Sequence, residues 1–377
     1  MIFSAVASLA PSATLTITAR AKQMALAGEK VVSFGAGEPD FDVPEAARQA
    51  AIAAINSHFN KYTPTTGIPE LKQAVCAKFK LDNNLSYTPE QVICANGAKQ
   101  VLFEIIFTFC QKGDEAVIPQ PFWVSFPEMV KAAGAKPILV SRDKISSAIN
   151  RKTKLLILNY PANPDGKIYS LAELRQIAKA VGQHPQLFVI SDECYDHFYY
   201  TEKPVSFASL SKKMYKQTIT VNACSKSFSM TGWRLGYCAG PLPIIQAMGK
   251  LQDHLSSNPC SITQKAAVAA LTKCRQFPQK MRREFARRRL VMAKGLNQIK
   301  GIKAPLPDGA FYIFADISSI TRDSFKFCIG LLDHEKVAVI PGKPFGTEGF
   351  IRLSFATSME NIIEGVRRIK KYVEAVY

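Results

Sequence analysis

Four polar residues lie where strand-like apolar runs end, and their types suit one kind of chemistry. Lys226 follows the run TITVNA, Asp192 ends LFVISD with Tyr195 three residues later, and Asn163 follows KLLILNY. A lysine amine can form a Schiff base with a carbonyl cofactor, and a carboxylate can face a protonated pyridine nitrogen. The phenol and the amide can donate hydrogen bonds to a phenolate oxygen. Taken singly, each residue also has an ordinary explanation. Lys226 could be a surface lysine and Asp192 a helix cap. Tyr195 could pack in the core, and Asn163 could form a turn.

A second group suits a phosphate. Gly97, Ala98 and Lys99 lie between the strand-like QVICAN and a helical pattern, where free N–H groups at a helix start can bind an anion. Arg234 comes eight residues after Lys226 and could add a charge-assisted contact. Most glycine-containing turns of this kind bind nothing, so the turn alone is a weak signal.

Two further residues suit a substrate. Arg352 interrupts the short strand pattern FIRLSFA, and a planar guanidinium in a cleft can bind a carboxylate through two hydrogen bonds. The alternative is an exposed charge on a sheet edge. Trp123, in QPFWVSFPE, could stack on a flat heteroaromatic ring or fill core space.

The elements that must position these residues alternate between strand and helix from about residue 90 to 240. Apolar strands separated by helices favour a mostly parallel sheet covered on both faces, which gathers ligands at the carboxyl ends of its strands. Ser170 and Glu173 predict a capping box for the helix within 170–182. The strand-like runs are 115–119, 136–140, 154–160, 187–192, 218–223 and 234–240.

The C-terminal part has another pattern, typical of a smaller α+β domain. A long helical pattern covers about 262–299. Strand patterns follow at 310–317, 336–342 and 350–356, and a last helical pattern begins at Met359.

Length, composition and cysteine pattern exclude several classes of protein. The chain has 377 residues, enough for about two domains, and no run approaches the ~20 apolar residues of a membrane helix. Nine cysteines without a C-x-x-C pair fit neither a zinc nor a disulfide framework, and five histidines show no ligand spacing, so no metal site is predicted. We read the N-terminal MIFSAVASLAPSA as mature protein, since it lacks a basic leader, and expect the cytoplasm.

The net charge of +18 raises a nucleic-acid alternative, because residues 273–294 hold nine Lys and Arg against one Glu. No recognised binding module or interleaved aromatic residues accompany them. The solvated face of a long helix is the favoured interpretation, with part of the charge steering anionic ligands. No nucleic-acid partner and no membrane partner are expected.

The chain resembles the class I aminotransferases of the pyridoxal-phosphate fold type I group, most of all the bacterial aspartate aminotransferase branch. The resemblance covers essentially the whole sequence, and the order of its motifs makes it specific. The matching segments are PSATL (11–15), FGAGEPDFDVP (34–44), KYTPTTGIPELKQAV (61–75), ANGAKQVL (95–102), PFWVSFPEM (121–129), NYPANPDGKIY (159–169), SDECYDHF (191–198), SKSFSMTGWRLGY (225–237), PDGAFYIF (307–314) and IRLSFAT (351–357).

The resemblance implies a role for each cofactor-contacting residue. Lys226 would hold pyridoxal 5'-phosphate and move protons, with Ser225 beside it. Asp192 would face the ring nitrogen, and Trp123 would stack on the ring. The remaining implied contacts are Tyr195 and Asn163 to the ring hydroxyl, and Gly97, Ala98, Lys99 and Arg234 to the phosphate.

For substrate and assembly, the resemblance implies that Arg352 binds the α-carboxylate with Gly37, Trp123 and Asn163 beside it. Tyr62 would reach the phosphate of the neighbouring subunit, which implies a homodimer. The implied fold is α/β: a large domain (45–280) with a mostly parallel seven-stranded sheet between helices, and a smaller α+β domain (281–377) joined by the N-terminal segment (1–44).

The implied reaction is ping-pong amino transfer, with L-aspartate and 2-oxoglutarate as the expected pair. Aromatic or prephenate amino transfer, or another fold type I reaction, is the alternative. The chain departs from the family pattern in three places, and the last of them bears on the preference for aspartate. Asp165 replaces the usual threonine of the Asn-Pro-Thr-Gly loop, the stretch between Val140 and Lys154 is short, and Ala10 stands where many dicarboxylate-specific relatives have lysine.

Overall fold

A seven-stranded sheet forms the centre of the larger part of the chain. The computed structural model describes residue 9 and residues 13–377, with side chains from residue 17 onward. The strand order is β2-β8-β7-β6-β5-β3-β4, and only β8 runs antiparallel to its neighbours. This confirms the mostly parallel sheet. The strands are β2 (Val92–Ala95), β3 (Glu115–Gln120), β4 (Lys136–Ser141), β5 (Thr153–Asn159), β6 (Phe188–Asp192), β7 (Thr218–Ala223) and β8 (Gly236–Ala239).

Both faces of this sheet are buried. Along β5, Leu155 and Ile157 pack into one apolar cluster, whereas Leu156 and Leu158 pack into another. Successive side chains of a strand point to opposite faces, which explains why β5 is apolar at every position from 155 to 158. The covering helices are α2 (Glu45–Asn56), α3 (Pro69–Asn83), α4 (Ala98–Phe109), α5 (Ser125–Ala132), α6 (Ile145–Ala148), α7 (Leu171–Val181), α8 (Lys212–Gln217), α9 (Cys224–Ser227), α10 (Leu242–Leu255) and α11 (Ser261–Lys273).

Helix α7 begins where its sequence predicts. The Ser170 hydroxyl accepts from the backbone N–H of Glu173 at 3.2 Å, and the Glu173 carboxylate accepts from the Ser170 N–H at 2.7 Å. This capping box satisfies N–H groups at the helix start. Leu174, Ile177 and Val181 form the buried face.

The smaller sheets use the N-terminal and C-terminal segments. Strand β12 lies between β11 and β9, antiparallel to both, and β1 pairs in parallel with β10. This pairing favours grouping residues before 45 with the C-terminal region, as we propose for the domains. These elements are α1 (Ala13–Leu26), β1 (Val32–Ser33), α12 (Phe277–Asn297), β9 (Tyr312–Asp316), α13 (Ser324–Glu335), β10 (Val337–Ala338), β11 (Ile340–Pro341), β12 (Phe350–Ser354) and α14 (Met359–Val376).

Two expectations for this region need correction. The helical pattern over 262–299 is interrupted at Cys274–Gln276, because α12 starts anew at Phe277 with a proline in its first turn. The strand pattern over 336–342 is divided between β10 and β11, which join different sheets. The proposed domain boundary at 280/281 falls in the first turns of α12.

No helix among residues 13–377 is long and apolar enough to cross a membrane. All nine cysteines are free thiols.

Candidate active site

A cavity of about 390 Å³ opens at the carboxyl ends of β5, β6 and β7. The parallel register explains this convergence: Asn159 at the end of β5 pairs with Asp192 at the end of β6. Most of the predicted site residues line the cavity, namely Gly37, Ala98, Lys99, Trp123, Asn163, Asp192, Tyr195, Ser225, Lys226, Arg234 and Arg352.

Lys226 lies on the short helix α9, directly after β7. Its Nζ donates a hydrogen bond to the carbonyl oxygen of Gly37. Burial lowers the pKa of the Lys226 amine to about 8; Cys194 and Glu38 oppose this shift, and nearby arginines add to it. A lysine with a lowered pKa is partly neutral near physiological pH and can act as a nucleophile or base.

Asp192 is 5% exposed at the end of β6. Its Oδ1 accepts from the backbone N–H of Cys194 at 3.2 Å. Burial raises the pKa of the carboxyl to about 6, although this hydrogen bond and the Lys226 charge both lower it. A buried carboxylate with this pKa would be stabilised by a further cationic partner inside the cavity.

Tyr195 and Asn163 are held by neighbours in the site. The hydroxyls of Tyr195 and Tyr312 are 2.8 Å apart. The Asn163 N–H donates to Oδ1 of Asn159 at 2.9 Å, and the Asn159 amide donates to the Asp192 carbonyl at 3.2 Å. The Tyr195 hydroxyl is therefore held by the smaller sheet, and the backbone of Asn163 is held at the ends of β5 and β6.

Arg352 lies on β12, the central strand of its sheet, and is 3% exposed. Its Nη1 donates to Oδ1 of Asn163 at 3.0 Å, and its Nη2 donates to the Gly35 carbonyl at 2.8 Å. The guanidinium also lies 4.5 Å from the ring centre of Tyr312. The alternative of an exposed edge charge is wrong for Arg352.

The Gly97 turn forms a tight cradle with Arg234. Gly97 has φ +88°, and a Cβ there would lie 2.4 Å from Nη2 of Arg234. A Cβ at Gly236 on β8 would lie 2.1 Å from the backbone nitrogen of Ala98, so the strand approaches the start of α4 closely. Arg234 donates to the Thr231 carbonyl at 2.8 Å. The cradle combines helix N–H groups and a guanidinium, which suits a phosphate.

Trp123 and Lys99 line the same end of the cavity. The Lys99 Nζ lies 5.1 Å from the Trp123 ring centre, and Phe126 packs edge-on against that ring at 5.3 Å. Burial and then the charge of Arg234 lower the pKa of Lys99. The indole is thus held beside the cavity rather than deep in the core.

Tyr62 does not line this cavity, and it is 92% exposed. Ala10, the position tied to dicarboxylate preference, lies outside the described residues. Asp165 does not line the cavity. Its carboxylate instead pairs with Arg142, at 2.6 and 3.0 Å.

Sequence reasoning missed two residues. Tyr312 contacts both Tyr195 and Arg352; the signal was the alternation in YIFAD, which puts Tyr312 on one face with Phe314, the register partner of Arg352. Glu38 accepts from the Thr231 hydroxyl at 2.7 Å and so ties the Gly37 loop to the Arg234 turn. An acid within FGAGEPD was its only signal.

The basic segment 273–294 carries several intramolecular contacts. Arg288 is 8% exposed, and its Nη1 lies 2.7 and 2.9 Å from the carboxylate oxygens of Asp40. Arg275 pairs with Asp82 at 3.1 Å, and the Arg282 guanidinium lies 3.9 Å from the Tyr199 ring centre. These contacts favour a structural role for part of the charge.

The comparisons with known proteins agree on one family. The family model described as "Aminotransferase class I and II" matches residues 29–369. An aspartate aminotransferase of Bacillus subtilis is 41% identical over 98% of each chain. An aspartate/prephenate aminotransferase of Cereibacter sphaeroides is 40% identical over 97% of each. The structure of the aspartate aminotransferase of Thermus thermophilus with maleate has a TM-score of 0.94 at 37% identity, covering 99% of each chain.

The residues of this site fit pyridoxal 5'-phosphate, the cofactor of the aminotransferase reaction. Gly97 leaves open a cradle that a Cβ would fill, and Arg234 supplies its cation. The buried Asp192 carboxylate suits a protonated ring nitrogen, and Lys226 offers an amine to the cofactor carbonyl. Fold, cavity and relatives agree, and the chain belongs to the class I and II aminotransferase family as an aminotransferase of the aspartate branch.

Proposed function

We propose that this enzyme transfers the amino group of L-aspartate to 2-oxoglutarate by a ping-pong mechanism. The observation that carries the proposal is the convergence in one cavity of the half-buried Lys226, the buried Asp192 carboxylate and the buried Arg352 guanidinium. Relatives named aspartate aminotransferase support L-aspartate as the donor.

The two ends of the cavity would divide the work of binding. Arg352 would bind the α-carboxylate of the amino acid, because its buried guanidinium can exchange protein acceptors for a carboxylate. Gly97, Ala98, Lys99 and Arg234 would hold the phosphate, and Trp123 would stack on the ring. Gly37, beside Lys226, would border the substrate.

The reactive steps would involve four side chains. Bound pyridoxal phosphate supplies an electron sink for the bond broken at the substrate Cα. The Asp192 carboxylate would keep the ring nitrogen protonated. Lys226 Nζ would take the proton from the substrate Cα and deliver it to the cofactor carbon. The lowered pKa of the Lys226 amine favours this role. Tyr195 and Asn163 would donate hydrogen bonds to the ring oxygen.

Prephenate is a second candidate acceptor. Relatives at 40% and 38% identity are named aspartate/prephenate aminotransferase. Prephenate also carries a carboxylate beside its oxo group, so Arg352 could bind it in the same way. 2-Oxoglutarate and prephenate would bind in the same cavity. They would differ in the contacts made by the end of the molecule farthest from the carboxylate that Arg352 binds.

We further propose a homodimer in which Tyr62 reaches the phosphate of the neighbouring site. A tyrosine that is 92% exposed in one chain is available for such a contact. We also propose the cytoplasm, supported by the nine free thiols.

Initial rates measured over a grid of both substrates test the function. The proposal requires parallel double-reciprocal lines for L-aspartate and 2-oxoglutarate. Replacing 2-oxoglutarate by prephenate tests the second candidate. Rapid rates with an aromatic amino acid and none with L-aspartate would reject the proposed donor, and ammonia release without amino transfer would reject the reaction.

A further inference from the structure

An ion pair outside the cavity joins the connection that follows β4 to the loop that follows β5. Nη1 of Arg142 lies 2.6 Å from Oδ2 of Asp165, and Nη2 lies 3.0 Å from Oδ1. Each guanidinium nitrogen thus meets its own carboxylate oxygen, which is the stronger, bidentate form of this contact. The side chains are only 21% and 20% exposed, so water screens the pair less than it would at the surface.

Arg142 is held on a rigid part of the fold. It begins a one-turn 3-10 helix directly after β4, a strand paired along its length with β3. Its guanidinium lies 5.8 Å from the ring centre of Tyr169, which is itself 5% exposed. The connection between Val140 and Lys154 therefore places a fixed cation beside the loop after β5.

Asp165 lies in the loop that carries Asn163. The loop closes on itself, because the Ala162 N–H donates to the Lys167 carbonyl at 3.0 Å and the Gly166 N–H donates to the Ala162 carbonyl at 2.9 Å. Oδ1 of Asp165 also accepts from the Lys167 N–H at 3.3 Å. Fixing the Asp165 carboxylate thus restrains the turn that begins two residues earlier at Asn163.

Asn163 in turn contacts the arginine that we assign to the substrate carboxylate. Its Oδ1 accepts from Nη1 of Arg352 at 3.0 Å. A chain of direct contacts therefore runs from Arg142 through Asp165 and its loop to Asn163 and Arg352.

We propose that Asp165 and Arg142 are a positioning pair that holds Asn163 against Arg352 and so sets the affinity for the substrate α-carboxylate. The inference rests on the proposed function, since it assigns Arg352 to that carboxylate. The connection after β4 and the loop after β5 then act together: the connection supplies the guanidinium, and the loop supplies the carboxylate that pairs with it.

The test compares D165N and R142K with wild-type holoenzyme. D165N keeps the side-chain shape but loses the charge, and R142K keeps the charge but loses the two-pronged contact. K167M is the matched control, because Lys167 lies in the same loop and makes a longer, more exposed pair with Asp308, at 3.7 Å. The measurements are KM and kcat for L-aspartate, and the Kd of the unreactive dicarboxylate maleate by calorimetry.

We expect D165N to raise KM for L-aspartate and Kd for maleate by at least about fivefold, with kcat changed by less than about twofold. R142K should have a smaller effect in the same direction, and K167M should stay within about twofold of wild type for both constants. KM and Kd unchanged in D165N, equal changes in D165N and K167M, or a fall in kcat alone would each overturn the proposal. If the wild type does not use L-aspartate, the proposed function fails, whereas the ratio of maleate Kd values still decides the role of the pair.

Discussion

Arg352 donates from Nη1 to Oδ1 of Asn163 at 3.0 Å. This hydrogen bond joins the central strand of the three-stranded sheet to the loop that follows β5. The two residues are 189 positions apart in sequence. The contact places Arg352, which we propose binds the substrate carboxylate, beside Asn163, a proposed donor to the cofactor ring. Under that proposal, side chains from two different sheets would connect cofactor binding with substrate binding.

Replacing Arg352 by lysine should weaken substrate binding specifically. Loss of the planar guanidinium would remove the bidentate carboxylate contact and leave Asn163 and the Gly35 carbonyl without their present donor. Truncating one partner of a buried charged contact costs about 2–5 kcal/mol, so we expect R352K to raise KM for L-aspartate at least about 10-fold.

Steady-state kinetics would measure this effect, with R20K as the control, because Arg20 pairs with Asp333 at an exposed position. A primary amine without a carboxylate should react slowly and at the same rate in R352K and wild type. Equal losses for that amine and for L-aspartate would contradict the assigned role.

Replacing Asp192 by asparagine should lower activity and yet stabilise the cofactor-free protein. Without the carboxylate the ring nitrogen loses its anionic partner, and we expect kcat to fall by more than about 100-fold, or roughly 3 kcal/mol. Asparagine can still accept the hydrogen bond from the Cys194 N–H, so the local backbone should be preserved.

The stability effect depends on pH in a defined direction. Burial raises the pKa of Asp192 to about 6, whereas an unfolded aspartate titrates near about 3.9. The folded state therefore binds the proton more tightly, and its stability falls as the pH rises from about 4 to 6.

At pH 7.5, cofactor-free D192N should therefore have a free energy of unfolding about 1–3 kcal/mol above that of wild type, with the difference vanishing near pH 4. Denaturant unfolding of both proteins would measure it, with the exposed D42N as control. A less stable D192N at pH 7.5 would contradict the view that the buried charge is costly without cofactor.

Mixing two inactive or impaired variants tests the shared site. K226A should lack turnover, and Y62F should bind cofactor more weakly, because it loses one hydrogen bond to the phosphate. In a mixed dimer, Lys226 of the Y62F subunit and Tyr62 of the K226A subunit would form one intact site.

At limiting cofactor, activity after subunit exchange should therefore exceed the sum of the two separate preparations. Mixing K226A with wild type that has not been allowed to exchange subunits gives the reference. Activity that merely adds would contradict a contribution of Tyr62 to the neighbouring site.

Features set by local sequence were predictable. The Ser170–Glu173 capping box and the apolar strands depend on residues a few positions apart, and the register of a parallel sheet then brought Asn159 and Asp192 to one edge. The sequence pattern predicted one strand over 336–342 and did not separate the two-residue strands β10 and β11. Their separation depends on which sheet each strand joins.

Contacts between distant residues were not predictable. Tyr195 meets Tyr312 across 117 residues, and Arg142 meets Asp165 across 23 residues that include α6 and β5. Motif likeness identified Arg352, but only packing against Tyr312 and Asn163 reveals that it is buried and not an edge charge.

The absorption spectrum of the purified protein, before and after addition of L-aspartate, tests the central claim most directly. We predict a visible band from pyridoxal phosphate linked to Lys226, absent in K226A, which L-aspartate replaces by the band of the aminated cofactor and which 2-oxoglutarate restores. A band that L-aspartate leaves unchanged would contradict the proposed donor. No band after incubation with pyridoxal phosphate would contradict the role assigned to Lys226 and the cavity around it.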